Sequence, residues 1–238
     1  MPHLHRFYID RACKTAETLV LTGDEAHHAL RVVRVRPGDS VALFDGSGRE
    51  LLGVVGSASK NEVRVSVLEE RLATPSTNRV TIAQGWLKRD KSTEYLVRHG
   101  TAIGVHRFLF FRADHSEKRP LSDSKWKRLA IESAKQSGRL WLPIFDMAED
   151  LEKALDRVDG RLLMATRAMA PVPFREAVQG DAVALLVGPE GDWTRRELDV
   201  LLSKGATPVS LGPATYRAEV AAFLAASLVL YELGDLAE

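Results

Sequence analysis

The stretch ALLVGPEGDWTRRELDVLLSKG, residues 184–205, decides how the chain is interpreted. It passes from a solid apolar segment through Gly-Pro-Glu-Gly, residues 188–191, into an amphipathic run. Residues 182–187 predict a buried strand, and Thr194 with Glu197 three residues later predicts a helix opened by a capping box. Glycines in such a loop let the backbone approach a ligand closely, although a tight turn would also explain them.

Short apolar segments alternate with helical segments beyond residue 78. Strands are predicted at 80–87, 107–113, 161–166, 182–188 and 207–212. Helices are predicted at 91–103, 124–137, 149–158, 195–204 and 216–233. This alternation favours a mostly parallel sheet covered on both faces, in which ligands bind beyond the carboxyl ends of the strands.

The first 72 residues have a different pattern. Val63, Val65 and Val67 alternate with polar residues, as in a half-buried strand, and DGSG at 45–48 predicts a hairpin turn. Several short strands at this spacing predict a small β-barrel. The polar segment 73–78 is interpreted as a linker.

Composition indicates an ordinary globular protein. The chain has 238 residues, 45% of them hydrophobic, and a single cysteine, Cys13, which cannot form an internal disulfide. The opening residues MPHLHRFYID lack the apolar core of a signal peptide, and the most apolar run, 221–231, is too short to span a membrane. We therefore expect a cytoplasmic protein.

Basic charge is concentrated in the middle of the chain. Residues 79–139 carry a net charge of +8, against 0 for 1–78 and −7 for 140–238. The basic segment also holds Trp86, Tyr95 and Trp126, which could stack on bases. A phosphate-binding surface is one interpretation and a solvated face is the other.

Several common sites are excluded by their patterns. The chain has no G-x-x-x-x-G-K-[ST] phosphate loop, and no G-x-G-x-x-G follows a strand. The seven histidines have no cysteine partner and form no H-E-x-x-H, so we predict no metal site.

A second loop repeats the first design. VSLGPATYRAEVAAFLAAS at 209–227 again reads as strand, Gly-Pro and helix. If the two Gly-Pro loops follow neighbouring strands, they could hold a flat heterocycle between them. Arg217 and Glu219 lie where the last helix opens, either as functional groups or as a local ion pair.

Three ordered motifs resemble the family that methylates ring nitrogen 3 of a uridine in 16S ribosomal RNA, commonly called RsmE, within the SPOUT class of methyltransferases. The family's GPEGG loop, acidic helix and LGPRILRxETA match at 188–191, Glu197, 211–213, Arg217, Glu219 and Ala221. HHALRVVRVRPGDSVALFDGSG, residues 27–48, and ESAKQSGRLWLP, residues 132–143, resemble two further family motifs. The resemblance covers nearly the whole chain.

The resemblance implies an α/β fold with two domains. Residues 1–72 would form a PUA-like β-barrel that binds RNA, and residues 73–238 a SPOUT methyltransferase domain. Its C-terminal part, about 160–238, would be tied in a trefoil knot, which is rare among folds. SPOUT enzymes pair as homodimers through the knot region, so we expect a homodimer.

In the family, the knot loops bind S-adenosyl-L-methionine, and here they would be 163–167, 186–191 and 210–217. The residues this implies for cofactor binding are Met164, Ala165, Thr166, Leu186, Val187, Gly188, Pro189, Glu190, Gly191, Ser210, Leu211, Gly212, Tyr216, Arg217 and Ala221.

Methylation of a uracil ring nitrogen requires that its proton leave. Arg217 is the first candidate for stabilising the developing anion, and Glu219 for orienting Arg217 or accepting the proton. Both are candidate catalytic residues.

The implied partner is 16S ribosomal RNA in the small ribosomal subunit, with no membrane involved. Candidate RNA contacts match basic family positions or lie in the basic segment, and surface charge is the alternative for each. They are Arg6, Arg31, Arg34, Lys88, Lys91, Arg128 and Arg139.

The chain departs from the family pattern near the expected site. Asp192 replaces the last glycine of GPEGG, Ala214 replaces an arginine, and Ala218 and Val220 replace threonines. Arg98, His99 and Ala102 replace Gln, Lys and Glu in the segment 92–105, and ADHSEK at 113–118 replaces E-R-S. A non-catalytic RNA-binding protein of ribosome assembly on the same scaffold is therefore the alternative function.

Overall fold

The structure is a computed structural model that describes residues 4–10, 18–117 and 123–236. Cys13 lies outside the described residues. The chain divides into two compact units, one of residues 1–75 with 131–142 and one of 76–130 with 143–238. The division of function between 1–72 and 73–238 stays a prediction.

The first unit is built on a curled five-stranded sheet. Its strands are β1 His5–Tyr8, β2 Thr18–Leu21, β3 Ser40–Phe44, β4 Arg49–Ala58 and β5 Val63–Leu72. They follow the order β1-β3-β4-β5-β2, in which β1 pairs with β3 in parallel and the other described pairings are antiparallel. No pairing joins β1 to β2 in the described part of the chain, so the predicted barrel is an open half-barrel. A short helix, α1 Gly23–His27, runs into a π-helical segment at His28–Val33.

Local sequence explains the hairpin of this sheet. The DGSG segment connects β3 and β4 as predicted, and the Asp45 carboxylate accepts hydrogen bonds from the Ser47 N–H at 2.8 Å and the Ser47 hydroxyl at 2.6 Å. Gly46 has a φ of 79°, a left-handed conformation that favours glycine. Val63 and Val65 are buried and Arg64 is exposed, which confirms the alternation read from the sequence.

The second unit is a parallel α/β sheet. Its strands are β6 Arg79–Gly85, β7 Arg107–Phe111, β8 Ile144–Ala148, β9 Arg161–Ala165, β10 Ala182–Val187 and β11 Thr207–Val209. The helices that follow α1 in the chain are α2 Asp90–Ile103, α3 Asp123–Ser137, α4 Leu151–Leu155, α5 Phe174–Ala177, α6 Arg195–Ser203 and α7 Ala218–Glu232. All the pairings of this sheet are parallel, which confirms the predicted class.

Strand order determines which loops can meet. The strand order in the sheet is β11-β9-β10-β6-β7-β8. β7 and β8 lie on one side of β6 and the later strands lie on the other, so the order of strands reverses between β10 and β6. β10 lies between β6 and β9, although both precede it in the chain. The condition that the two Gly-Pro loops follow neighbouring strands is not met, because β9 separates β10 from β11. The trefoil knot over about 160–238 stays a prediction.

One aromatic side chain of the basic segment belongs to the core. Trp126 on α3 is 2% exposed, and its ring lies 4.5 Å from that of Phe110 and 6.0 Å from that of Phe145. A ring buried in this way cannot stack on a base, so that interpretation of Trp126 is wrong. No helix within the described ranges is long and apolar enough to cross a membrane.

Candidate functional site

A pocket of about 410 Å³ opens at the carboxyl ends of three strands in the second unit. The loops after β9, β10 and β11 form its walls, and the start of α7 closes one side. Because β9 lies between β10 and β11, the loops converge on one edge of the sheet. Its lining residues are Ala165, Thr166, Arg167, Val187, Gly188, Pro189, Glu190, Asp192, Val209, Ser210, Leu211, Gly212, Ala214, Thr215, Tyr216, Arg217, Ala218 and Ala221.

Most of the residues predicted to bind cofactor line this pocket, and three do not. Met164 and Leu186 are fully buried in the core behind the strand ends. Gly191 packs against His115, and a Cβ added there would lie 2.7 Å from the His115 Cβ. A strand alternates its side chains, so residues next to each other at the strand ends point to different surroundings.

Sequence reasoning missed six lining residues in or next to the predicted loops: Arg167, Asp192, Val209, Ala214, Thr215 and Ala218. Their positions were inside or beside the predicted loops, but the direction of a loop side chain depends on backbone angles that no local pattern gives.

Buried Gln84 fixes the loop after β10. Its side-chain amide donates hydrogen bonds to the carbonyl oxygens of Gly188 at 2.8 Å, Gly85 at 3.0 Å and Val187 at 3.3 Å. Gly85 allows this loop to come close, since a Cβ there would lie 2.9 Å from the Pro189 Cδ. The Gly-Pro turn is therefore held against the end of β6.

The carboxylate of Glu190 also holds the Gly-Pro turn in place. Both of its oxygens accept the backbone N–H of Lys88, at 3.1 and 3.2 Å. The single acid of the Gly-Pro-Glu-Gly loop thus anchors that loop to the segment after β6.

Hydrogen bonds also connect the three loops to one another. The Trp193 indole N–H donates to the Ala165 carbonyl at 3.0 Å, and the Thr166 N–H donates to the Val209 carbonyl at 3.1 Å. The Arg167 guanidinium donates to the Thr215 hydroxyl, so a side chain from the β9 loop reaches the β11 loop.

The capping box at the start of α6 is confirmed and extends beyond the helix. Thr194 Oγ1 accepts from the Glu197 N–H, and the Glu197 carboxylate accepts from the Thr194 N–H at 2.9 Å. Fully buried Glu197 also accepts the Asp114 N–H at 2.9 Å. Arg196 binds the Asp114 carboxylate, and this ion pair, with a hydrogen bond from Thr194, lowers the pKa of Asp114.

The two catalytic candidates lie in different surroundings. Arg217 is exposed and lines the pocket, immediately before α7. Glu219 is 6% exposed, and its carboxylate accepts a hydrogen bond from the Ser92 hydroxyl of α2 at 3.0 Å. No ion pair joins Arg217 to Glu219 among the described residues, which removes the local ion pair as an explanation for the two charges.

Structure explains two departures from the family pattern. Asp192 has a φ of 59°, the left-handed region where glycine is favoured, and its Oδ1 accepts the Trp193 N–H at 2.8 Å. His99 packs against Tyr95, with ring centres 4.3 Å apart, and against Phe223 of α7.

The basic residues predicted to bind RNA have unequal environments. Arg31 and Arg34 in the first unit are exposed, as are Lys91 and Arg128 in the second. Arg6 forms an ion pair with Glu50 at 2.8 Å, and Lys88 one with Glu117 at 2.8 Å. Arg139 is half-buried and interacts within the protein.

No group of three or more His, Cys, Asp and Glu in the described ranges is arranged to hold a metal ion.

Comparison with known proteins agrees with this architecture. A family model described as an RNA methyltransferase domain matches residues 74–230, and one described as an RNA methyltransferase PUA domain matches residues 21–68. The ribosomal RNA small subunit methyltransferase E of Mycobacterium bovis is 30% identical over 236 residues, which cover 94% of this chain and 90% of the relative. That of Bacillus subtilis is 27% identical, with 96% and 97% of the two chains covered.

Solved structures share the fold. A probable rRNA-methyltransferase from Porphyromonas gingivalis has a TM-score of 0.85 at 28% identity, covering 96% of this chain and 98% of that one. A ribosomal RNA small subunit methyltransferase E from Neisseria gonorrhoeae, bound to S-adenosyl methionine, has a TM-score of 0.83 at 24% identity, with 96% and 98% covered. The chain is an RNA methyltransferase by family, and it belongs to the ribosomal RNA small subunit methyltransferase E family, RsmE.

Asp192 provides a test of the loop geometry. Replacement by alanine removes the bond to the Trp193 N–H and leaves a Cβ in a left-handed conformation, so we expect the free energy of unfolding to fall by about 1–2 kcal/mol. Asp192→Gly should stay within about 0.5 kcal/mol of the wild type, because glycine adopts this φ without strain. Asp192→Asn keeps an acceptor and serves as the matched control. Chemical denaturation of the four proteins measures the difference, and an alanine variant as stable as the wild type would contradict the explanation.

Proposed function

We propose that this protein transfers a methyl group from S-adenosyl-L-methionine to ring nitrogen 3 of a uridine in 16S ribosomal RNA of the small ribosomal subunit. The observation that carries the proposal is the three-loop pocket with Arg217 at its wall. Family membership and the bound S-adenosyl methionine of the Neisseria gonorrhoeae relative support it.

The pocket suits this cofactor in size and chemistry. Its volume lies in the usual range for small-molecule sites, and Val187, Leu211 and Tyr216 supply apolar surface for a flat ring. Backbone at Gly188 and Gly212 lines it without side chains, so main-chain polar groups can approach the ligand. When bound, the cofactor supplies an electrophilic methyl group on a cationic sulfur.

Arg217 can act on the substrate from this wall. Loss of the proton from uracil ring nitrogen 3 leaves a negative charge spread over the ring and its oxygens, and a guanidinium stabilises that charge. We propose that Glu219 acts as a positioning residue. Its buried carboxylate, bound to Ser92, fixes the first turn of α7, which Arg217 immediately precedes.

The proposal is tested with purified protein, labelled S-adenosylmethionine and small ribosomal subunits that lack the modification. We expect label on ring nitrogen 3 of a uridine, identified after digestion of the RNA. Arg217→Ala should lower kcat by roughly 10²- to 10³-fold while cofactor affinity stays near the wild-type value. Arg195→Ala is the matched control, because that side chain is 86% exposed and its ion pair within the described part of the chain is with Asp199 on its own helix.

Each negative result of these assays would reject a different part of the proposal. Cofactor binding without methyl transfer to these subunits would reject the proposed substrate. Absence of cofactor binding would reject the enzyme and leave the non-catalytic RNA-binding protein of ribosome assembly. Full activity of Arg217→Ala would remove Arg217 from the mechanism.

Electrostatic contact with RNA is proposed for the predicted basic residues, with Arg31 and Arg128 tested first because both are exposed. Replacement of each arginine by glutamine should weaken RNA binding. It should also reduce the magnitude of the slope of log affinity against log salt concentration by about one, which is the contribution of one phosphate contact. Arg6→Gln should instead lower stability, since it breaks the ion pair with Glu50. Unchanged salt slopes in both surface variants would exclude them from the interface.

A homodimer through α7, the end of the predicted knot region, is also proposed. The helix is apolar on every side, and Leu228 and Tyr231 remain 38% and 58% exposed. Sedimentation should show a dimer that Tyr231→Lys converts to monomer. Leu202→Glu, at a 43% exposed apolar position of α6, should leave the dimer intact. A wild-type monomer at micromolar concentration would reject the proposal.

A further inference from the structure

Two basic and two acidic side chains line the pocket. Arg167, Arg217, Glu190 and Asp192 all line it. Both carboxylates accept hydrogen bonds from the backbone, Glu190 from the Lys88 N–H and Asp192 from the Trp193 N–H. In the described part of the chain neither arginine forms an ion pair with them. Two guanidiniums therefore line the pocket without an ion pair to the acids beside them, as far as the described residues show.

Such a pocket suits a ligand that carries an anionic group. S-adenosylmethionine has two cationic centres, the sulfonium and the ammonium, and a single carboxylate at the end of its amino-acid arm. A guanidinium repels the two cationic centres and attracts the carboxylate, so the carboxylate is the group of this ligand that an arginine would contact. The two arginines of the pocket are therefore the candidate partners for the cofactor's carboxylate.

Arg167 is placed to be that partner. It follows β9, and one of its terminal nitrogens donates to the Thr215 hydroxyl in the loop after β11, so two walls of the pocket hold it. The remaining N–H groups of the guanidinium donate to no other group among the described residues. A guanidinium fixed by one nitrogen can present the others to a carboxylate as a planar fork. Arg217 has no such anchor among the residues that the structure describes, and it immediately precedes α7, beside the proposed uracil site.

We infer that Arg167 binds the carboxylate of the amino-acid arm of S-adenosylmethionine and so selects it over nucleosides without that arm. The inference rests on the proposed function and adds a specificity-determining residue to the site. Thr215 is its positioning residue.

The test measures affinity for three ligands by calorimetry. S-adenosylmethionine and S-adenosylhomocysteine carry the carboxylate, whereas 5′-methylthioadenosine has the same adenine and ribose, and the neutral thioether of S-adenosylhomocysteine, without the amino-acid arm. Arg167→Ala should weaken the first two by roughly 10- to 100-fold and leave methylthioadenosine within about twofold. Arg167→Lys should fall between, since it keeps the charge and loses the fork. Thr215→Val should show a smaller loss with the same ligand pattern.

Every outcome decides the inference. Equal weakening of all three ligands in Arg167→Ala would mean that Arg167 only shapes the pocket, and undiminished binding of S-adenosylmethionine would exclude it from the site. Methylthioadenosine binding reports whether each variant is folded. Arg195→Ala should match the wild type for all three ligands. If the wild-type protein binds none of them, the proposed cofactor fails and this assignment fails with it.

Discussion

The site depends on one buried amide. Gln84 has no solvent exposure, lies at the end of β6, and donates to three carbonyl groups, two of them at the turn after β10. A buried carbonyl without a donor costs about 1–3 kcal/mol, so this side chain strongly constrains where the turn can lie. The anchoring of Glu190, the close approach at Gly85 and the left-handed conformation of Asp192 all serve the same placement. The pocket is the space left when three loops are held this way.

Local patterns in the sequence were sufficient for much of the fold. The apolar segments at 161–166 and 182–188 became β9 and β10, and the Thr194 capping box is present as predicted. β8 and α5 were missed, because Ile144–Ala148 includes an aspartate and α5 has four residues, too short for a helical period to show. The position of β10 between β6 and β9 could not be read either, since hydrogen bonding between distant strands leaves no trace in local spacing. An open half-barrel and a closed barrel likewise give the same alternation of valines.

The site was predicted at the level of loops and less well at the level of side chains. Gly188, Gly212 and Arg217 line the pocket, whereas Leu186 turned into the core, because a strand end presents alternate residues to alternate sides. Arg167 was passed over as a binding residue, although it ends one of the predicted loops, because its reach to Thr215 depends on tertiary contact. Asp192 replaces a glycine of the family pattern, yet it keeps the left-handed conformation, which its carboxylate stabilises by accepting the Trp193 N–H.

The position of β10 also bears on how the chain reaches this structure. β6 and β9 are both synthesised before the strand that separates them, so their facing edges must stay unpaired until residues 182–187 are available. Unpaired edges in a partly folded chain invite wrong pairing and association with other chains. The sheet is completed late and through contacts distant in sequence, which makes its assembly slow compared with that of a helical bundle. Ligand binding is then among the last properties that the chain acquires, because the walls of the pocket come from the final third of the sequence.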